Sequence, residues 1–330
     1  MGRGLPRMSR YARQMILPEV GSDGQARLAR AHVLVVGAGG LGCPVLQYLG
    51  GAGVGRLTIA DGDVVEESNL HRQVLYAMQD IGRPKAEAAR AHLLSANPAL
   101  EVTALAQPLD AANAAAWVQA ADLVVDAADS FAVSYILSDS CLAAGKPLIS
   151  ASALGQSGYA GGFCGGAPSL RAVFPDLPAR AATCATAGVM GPAVGMIGAL
   201  QAQLALKVLL GHQPSPCGQL FSFRLEDLHV SSFRFDGAEE PEAALPFVAA
   251  SQITPQDVVV ELRPEEEAPR MAVPQAQRIA PADLAAADLP RGRRIVLCCR
   301  SGLRAWGAAA TLQQAGHRSL ALLAAGDSPA

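Results

Sequence analysis

The sequence is poor in aromatic residues and in charge, and it has no surplus of basic residues. Phe, Trp and Tyr make up 5% of the 330 residues, charged residues make up 17%, and the formal net charge is −3. Without a basic footprint, nucleic-acid binding is not expected. Apolar residues reach 51%, which is ample for a large core, and the length allows two domains.

The sequence also lacks the features of a secreted or membrane protein. Its seven cysteines are odd in number and form no repeating framework, which argues against a disulfide scaffold. No apolar signal segment is visible near the N-terminus, so we expect a cytoplasmic protein. Pro192, Gln201, Gln203 and Lys207 interrupt the longest apolar stretch, residues 187–210, so a buried helix is predicted there rather than a membrane span.

The sequence does contain a glycine-rich motif, which lies between two predicted strands, residues 32–37 and 56–61. A helix is predicted between them, and the second strand ends at Asp61, about 20 residues beyond the glycines, where a nucleotide ribose is usually held. Glycines let the backbone approach a phosphate, which the N-terminus of the following helix stabilises. A nucleotide site is therefore predicted, with a ligand-free tight turn as the alternative. The G-x-G-x-x-G spacing is formed by Gly37, Gly39, Gly40 and Gly42.

The residues that follow indicate which nucleotide is bound. Asn69, Arg72 and Gln73 lie close together, and Lys85 begins the next predicted helix. A triphosphate needs such guanidinium, ammonium and amide donors. Asp63 is a candidate Mg²⁺ ligand, because hard cations prefer carboxylate oxygen. The pattern favours ATP, whereas the alternative, an NAD-dependent dehydrogenase, leaves Arg72 and Lys85 without a role.

Strands and helices continue to alternate, which predicts an α/β fold with a doubly wound, Rossmann-like and mostly parallel sheet. The site of such a sheet lies at the carboxyl ends of its strands. The predicted strand 122–126 ends on Asp126, and Asp129 follows it. Asp129 is either a residue of the active site or the N-cap of a helix that begins at Phe131.

These motifs together resemble the ThiF/MoeB/HesA family, bacterial relatives of ubiquitin-activating E1 enzymes. The resemblance covers about residues 9–235. It implies ATP-dependent adenylation of the C-terminal glycine of a small ubiquitin-like sulfur carrier (ThiS or MoaD type) that ends in Gly-Gly. The thiamine and molybdopterin pathways both remain open, and a non-catalytic carrier-binding scaffold is a further alternative. The matching segments are Arg10-Tyr-Ala-Arg13-Gln14, Gly37-Ala-Gly-Gly-Leu-Gly42, Ser68-Asn-Leu-His-Arg-Gln73, Arg83-Pro-Lys85, Asp126-Ala-Ala-Asp129, Gly188-Val-Met-Gly-Pro192 and Leu200-Gln201-Ala202.

The resemblance also implies roles for individual residues. Arg72, Lys85 and Asp129 would act at the phosphates, with Asp129 on the Mg²⁺ that accompanies ATP. Arg13 would reach the phosphates from the partner subunit of a homodimer. Cys184 lies where the family places a loop cysteine that can bond covalently to the carrier, and its alternative role is that of a small buried hydrophobe.

Family members often carry a zinc site that is built from two C-x-x-C pairs. The first pair would fall at Ser169 and Ala172, and the second would follow Phe235, where this chain has no cysteine. Tetrahedral zinc needs four nitrogen or sulfur ligands. We therefore predict that the protein has no structural zinc site.

The C-terminal part is predicted to be a second domain. Residues 237–255 are acidic and rich in Pro and Ala, which is typical of a linker between domains 1–236 and 256–330. A predicted strand leads into the loop Cys299-Arg-Ser-Gly-Leu-Arg304 and then a helix. The loop amides, together with Arg304, are expected to stabilise a thiolate or persulfide at Cys299. This part resembles a reduced rhodanese (sulfurtransferase) domain, which implies a sulfur-accepting Cys299, with a degenerate structural remnant as the alternative. Strand alternation predicts that Cys298 points to the opposite face.

Overall fold

The computed structural model describes residues 6–177 and 188–326, which form two α/β units. Short 3-10 turns connect several of the elements. The helices are α1 (Pro6–Met15), α2 (Gly21–Arg30), α3 (Gly42–Ala52), α4 (Lys85–Ala96), α5 (Ala114–Ala120), α6 (Phe131–Ala144), α7 (Leu170–Val173), α8 (Gly191–Leu210) and α9 (Leu303–Gln314). The strands are β1 (His32–Val36), β2 (Arg56–Ala60), β3 (Glu101–Leu105), β4 (Leu123–Asp126), β5 (Pro147–Leu154), β6 (Ser157–Cys164), β7 (Gln219–Arg224), β8 (His229–Arg234), β9 (Val258–Glu261), β10 (Gln277–Arg278), β11 (Ile295–Cys299) and β12 (Leu320–Ala324).

The first unit is built on an eight-stranded sheet with the order β3-β2-β1-β4-β5-β6-β7-β8. The strands from β3 to β5 pair in parallel, and those from β5 to β8 pair antiparallel. The chain order reverses at β1, which lies between β2 and β4, so a crevice opens at the carboxyl ends of β1 and β4. The predicted doubly wound α/β sheet is confirmed.

The apolar strand β1 fills both layers of the core. Val33 and Val35 pack on the side that carries α3, α4 and α8. Leu34 and Val36 pack on the side that carries α5 and α6. Both faces are covered because a parallel sheet of this type buries both of its surfaces, which explains why the strand has no polar side chain after His32.

The long apolar helix α8 packs against the sheet, as predicted. By length and composition alone it could cross a membrane. It nevertheless lies on α3, β5 and β6, and Ile197 and Gln201 on its inner face are fully buried. The Gln201 amide donates to the backbone oxygen of Asp126 at 2.7 Å, so the helix is tied to the end of β4.

Residues 157–164 form a strand although they are rich in glycine. Strand β6 has eight residues and forms a hairpin with β5. The glycines of β6 weaken the sequence signal for a strand, because glycine has low strand propensity. They are needed there: a Cβ on Gly161 would lie 2.9 Å from the Gln219 oxygen, and one on Gly162 would lie 2.6 Å from the Pro216 oxygen. The close approach of the neighbouring chain therefore selects glycine.

The second unit is a small α/β structure, as predicted, with a parallel sheet in the order β10-β9-β11-β12 and helix α9. The preceding segment, predicted to be a linker, is partly packed against this unit. Leu245, Phe247 and Ala249 are buried, and the Val248 N–H donates to the oxygen of Leu322 in β12 at 2.8 Å. The burial at every second residue is that of a strand-like segment along β12.

Candidate active site

The glycine-rich turn joins β1 to α3 at the crevice. Gly37 has a φ of +95°, and a Cβ there would lie 2.5 Å from the Ala127 oxygen, while one on Gly42 would lie 2.0 Å from the Gly37 oxygen. The tight turn therefore requires these two glycines with or without a ligand. A Cβ on Gly39 would meet the Gln73 amide nitrogen at an ordinary 3.6 Å, so packing does not require glycine at this position. The lack of a side chain at Gly39 would leave the backbone accessible to a phosphate, which stays a prediction.

Asp61, directly after β2, holds the glycine-rich turn in place. Its carboxylate accepts the Ala38 N–H at 2.7 Å through one oxygen and the Asp63 N–H at 2.8 Å through the other. Burial raises the pKa of Asp61 above its usual range, and the two N–H groups partly counter that effect. Each carboxylate oxygen keeps a second lone pair for a hydroxyl donor. Asp61 is thus placed as predicted, and its role as the ribose ligand stays a prediction.

Lys85 begins α4 and places a positive charge at the crevice. Its side chain is only 8% exposed, and Nζ donates to Asp63 Oδ2 at 2.8 Å. Asp63 in contrast is 74% exposed. The carboxylate suggested as a Mg²⁺ ligand is therefore paired with the ammonium group in this structure.

Sequence reasoning missed two residues that hold the segment leading into α4 in place. The Tyr76 hydroxyl donates to the Ala38 oxygen at 2.7 Å and lies 3.3 Å from the Lys85 oxygen, so it joins the glycine-rich turn to α4. Asp80 is fully buried and accepts bonds of 2.6 Å from both Arg83 and His92. Burial raises the pKa of Asp80, but the hydrogen bonds, including one from the Ala77 N–H, hold it below the usual range. Neither residue belongs to a sequence motif with a chemical rationale, so the roles of Tyr76 and Asp80 become visible only in the folded structure.

Arg72 and Gln73 border the glycine-rich turn at Gly40 and Gly39, and Asn69 precedes them in the chain. Asn69 is buried in a 3-10 turn, and the Arg72 guanidinium donates to the Ser68 oxygen at 3.2 Å. Gln73 is 3% exposed, and its Oε1 has no hydrogen-bond partner within residues 6–177 and 188–326. Buried polar atoms are nearly always paired. The Gln73 nitrogen lies beside Gly39, and the unpaired oxygen of the same amide is an acceptor that fits the hydroxyl and amino donors of a nucleotide.

Asp126 and Asp129 differ sharply in their surroundings. Asp126 is fully buried, and its carboxylate accepts the Ser150 hydroxyl at 2.7 Å and the Ala128 N–H at 3.2 Å. Asp129 is exposed at the carboxyl end of β4. The N-cap of α6 is Ser130, so the alternative that Asp129 caps this helix is wrong. Its carboxylate is left free of a capping role, at the edge of the crevice.

Asp126→Asn is expected to change how stability depends on pH. Burial raises the pKa of Asp126 to about 6 from an ordinary 3.8. The native state therefore binds this proton more tightly than the unfolded chain, and the stabilisation is full below about pH 4 and lost as the pH rises through about 6. Relative to the variant, which cannot titrate there, the wild type should lose up to about 3 kcal/mol of unfolding free energy. Denaturant unfolding from about pH 4 to 7 checks this, and a difference that does not vary with pH would contradict it.

Arg13 lies far from the glycine-rich turn of its own chain. The neighbouring Gln14 donates to the oxygen of Ala52, the last residue of α3, at 2.8 Å. The glycine-rich turn lies at the other end of this 11-residue helix, about 16 Å away. Arg13 itself is exposed. This placement agrees with the expectation that Arg13 acts on a partner subunit, which stays a prediction.

The zinc position of related proteins holds a different connection here. The Ser169 N–H and hydroxyl donate to the two oxygens of Glu240 at 2.6 and 2.5 Å, which joins the two segments where the C-x-x-C pairs would fall. Among the described residues, no three His, Cys, Asp or Glu side chains gather as a metal site. The absence of structural zinc stays a prediction, and one zinc per chain in metal analysis would contradict it. Cys184 lies outside the described residues.

Glu240→Ala is expected to lower the free energy of unfolding by about 1–2 kcal/mol, because it leaves the buried Ser169 donors without their charged acceptor. Chemical denaturation of the full chain measures the change. Glu239→Ala is the matched control, since Glu239 is its exposed neighbour. Equal stability of the two variants would show that the Ser169–Glu240 pair does not stabilise the fold.

The Cys299 loop forms the predicted cradle, with one correction. The Cys299 sulfur accepts N–H groups from Gly302 at 3.2 Å and from Ala305 at 3.4 Å. Cys298 packs in a separate cluster on the other face, as predicted. Arg304, expected to hold the charged sulfur, is paired with Glu267 instead. Backbone amides, rather than a guanidinium, therefore surround the sulfur.

Comparisons with known proteins agree with this arrangement. The bovine "Adenylyltransferase and sulfurtransferase MOCS3" is 49% identical over 217 residues, or 65% of this chain and 48% of the relative, so the chain spans about half the length of such relatives. The "Sulfur carrier protein adenylyltransferase" of Thermus thermophilus is 46% identical over 235 residues, or 69% of this chain and 86% of the relative. The solved structure of E. coli MccB with ATP shares the fold, with a TM-score of 0.59, 23% identity and coverage of 71% of this chain and 73% of that one. A profile of the ThiF family matches residues 11–244, which contain every element of the crevice, and the chain belongs to this family.

Proposed function

We propose that the protein adenylates the C-terminal glycine of a small ubiquitin-like sulfur carrier of the ThiS or MoaD type. The observation that carries the proposal is the convergence of two buried groups on the glycine-rich turn. One is the Lys85 ammonium, whose charge acts on Asp61 beside the turn, and the other is the Gln73 amide, whose nitrogen lies beside Gly39 and whose oxygen has no partner among the described residues. The name of the Thermus relative supports the carrier as substrate.

The proposed reaction is a nucleophilic displacement at phosphorus. The carrier carboxylate forms a bond to the α-phosphorus of ATP, the bond to the bridging oxygen breaks, and pyrophosphate leaves. Lys85, Arg72 and the partner subunit's Arg13 would neutralise the charge on the phosphates, while Asp61 would orient the ribose. The protein contributes position and electrostatic stabilisation rather than covalent chemistry.

Asp129 is the residue that we propose for Mg²⁺. Magnesium is usually held by one or two carboxylates together with substrate phosphates, so a single exposed carboxylate at the crevice is a suitable donor. When bound, the ion would supply further charge neutralisation at the phosphates.

Asp129→Ala is expected to lower ATP–pyrophosphate exchange by about 10²-fold or more, the cost typical of removing one electrostatic contact to a transition state. Its thermal stability should match the wild type, because Asp129 does not cap α6. Asp288→Ala, which removes an exposed carboxylate from the second unit, is the control. Preserved exchange with reduced stability would instead assign Asp129 a structural role.

The second unit is proposed to supply sulfur. The Cys299 thiolate takes the sulfane sulfur of thiosulfate and releases sulfite. The terminal sulfur of the resulting persulfide then attacks the acyl carbon of the carrier adenylate, and AMP leaves. A dithiol supplies two electrons to cleave the acyl disulfide, which yields the carrier thiocarboxylate and free Cys299. The two N–H groups at the Cys299 sulfur support this proposal.

Carrier-dependent ATP–pyrophosphate exchange, with several candidate Gly-Gly-tailed proteins, tests the main proposal. We expect exchange with at least one carrier. Carrier binding without exchange would favour the non-catalytic scaffold, and tight binding of a nicotinamide dinucleotide would favour the dehydrogenase, although the relatives do not favour it. A homodimer and a cytoplasmic location are proposed as well, and light scattering of the purified chain checks the former.

A further inference from the structure

The second unit is docked on helix α6 through three side chains, which we call the α6 latch: Tyr135, Arg171 and Trp306. Trp306 of α9 meets Tyr135 of α6 edge to face, with ring centroids 5.8 Å apart. The Arg171 guanidinium lies 4.6 Å from the centre of the Tyr135 ring and 5.9 Å from that of Trp306. A cation over aromatic faces is attracted by their quadrupoles, more strongly when it is desolvated as here.

Arg171 is itself held rigidly, so the latch has a fixed centre. It is 3% exposed and donates to the two carboxylate oxygens of Asp139, also in α6, at 2.6 and 2.8 Å. It also donates to the oxygen of Leu245 at 3.1 Å. Bidentate pairs of this kind fix geometry as well as energy. Arg171 therefore joins α6, α7 and the segment that leads into the second unit.

The latch brings the Cys299 loop to one particular end of α6. Gly302 has a φ of +89°, and a Cβ there would lie 2.6 Å from the Phe247 ring and 3.9 Å from the Ala132 side chain. Ala132 is the second residue of α6 and follows Asp129 by three positions. The loop that carries the candidate sulfur acceptor thus lies against the helix end that borders the candidate adenylation site.

We propose that sulfur transfer occurs in cis, so that Cys299 of each chain serves the adenylate formed in that same chain, with Trp306 as the positioning residue. This inference rests on the proposed function. Cys299 is fully buried in the docked arrangement, and Arg300 and Ser301 form the exposed rim of its loop. Sulfur therefore moves only when this rim shifts, and the latch keeps that movement next to α6 of the same chain.

A complementation experiment tests the cis assignment without altering the latch. Full-length Lys85→Ala, which cannot adenylate, and full-length Cys299→Ser, which cannot accept sulfur, are co-expressed with different affinity tags, and are also mixed after purification. Carrier, ATP, magnesium, thiosulfate and dithiothreitol are supplied, and the thiocarboxylate is measured by mass spectrometry. We expect the mixed dimers to form at least about 10-fold less product than the wild type, since misplacement of reacting groups alone costs up to about 10²-fold. Transfer in trans would leave one working pair of two, so product near half the wild-type rate, or anywhere above about a tenth of it, would overturn the proposal.

Trp306→Ala tests the latch itself. It should leave carrier-dependent ATP–pyrophosphate exchange and loading of Cys299 with sulfur unchanged, yet lower thiocarboxylate formation about 10-fold or more. Trp306→Phe, which keeps an aromatic face, should restore most of the rate. Loading of Cys299 also reports whether the second unit is folded. Unchanged thiocarboxylate formation in a correctly loaded Trp306→Ala would overturn the proposal, whereas absence of exchange in the wild type would overturn the proposed function instead.

Discussion

Lys85→Ala is expected to abolish carrier-dependent ATP–pyrophosphate exchange while the protein stays folded. The ammonium group is buried at the start of α4, and its partner Asp63 is exposed. The variant therefore loses the cation that we propose for the phosphates, without leaving a buried charge unpaired. Removal of one preorganised donor commonly costs about 10²–10³-fold in rate, and exchange at saturating carrier measures the loss.

Arg72→Ala should have a similar effect, because the aliphatic part of its side chain lies next to Gly40 of the same glycine-rich turn and carries the guanidinium at this site. Lys146→Ala is the matched control, since Lys146 precedes β5 at the amino ends of the strands, away from the crevice. Thermal unfolding of all three variants shows whether they remain folded. Near-normal exchange in both the Lys85 and the Arg72 variants would reject the assignment of these residues to the phosphates.

The sequence was sufficient to predict the parts of the crevice whose chemistry is local. Gly37, Gly42 and Asp61 follow from the need for a tight turn and a buried strand end, and the structure places them together as expected. Tyr76 and Asp80 could not be predicted in this way. Tyr76 contacts Ala38, 38 residues away, and Asp80 contacts His92, 12 residues away, and a single tyrosine or aspartate in a loop carries no periodic signal.

Pairing of charges was the other limit of prediction. The sequence predicts that a carboxylate or a guanidinium lies in a site, but it does not predict which charged group pairs with it. That pairing decides the role of the side chain. Asp63 was a candidate magnesium ligand and is paired with Lys85, while Arg304 was a candidate persulfide ligand and is paired with Glu267. The packed segment before the second unit shows a similar limit. Its composition indicated a linker, yet the alternation of Leu245, Phe247 and Ala249 is that of a chain running beside a sheet edge.

Cys299→Ser is expected to separate the two activities of the chain. It should retain ATP–pyrophosphate exchange, because the crevice at β1 and β4 is unchanged, and should lose thiosulfate-driven thiocarboxylate formation. The N–H groups of Gly302 and Ala305 point at the Cys299 sulfur, so this atom is the one that the loop can hold as an anion. Exchange and mass spectrometry of the carrier are measured on the same preparation.

Cys298→Ser is the matched control, since the two cysteines are adjacent but point to opposite faces of β11. Burial and the nearby Glu261 carboxylate raise the pKa of the Cys298 thiol, so it stays protonated and is a poor nucleophile. Cys298→Ser should therefore retain both activities. If Cys299→Ser instead makes thiocarboxylate at the wild-type rate, the second unit is a structural remnant. The sulfur must then reach the carrier adenylate from another donor, and Cys184 becomes the next residue to test.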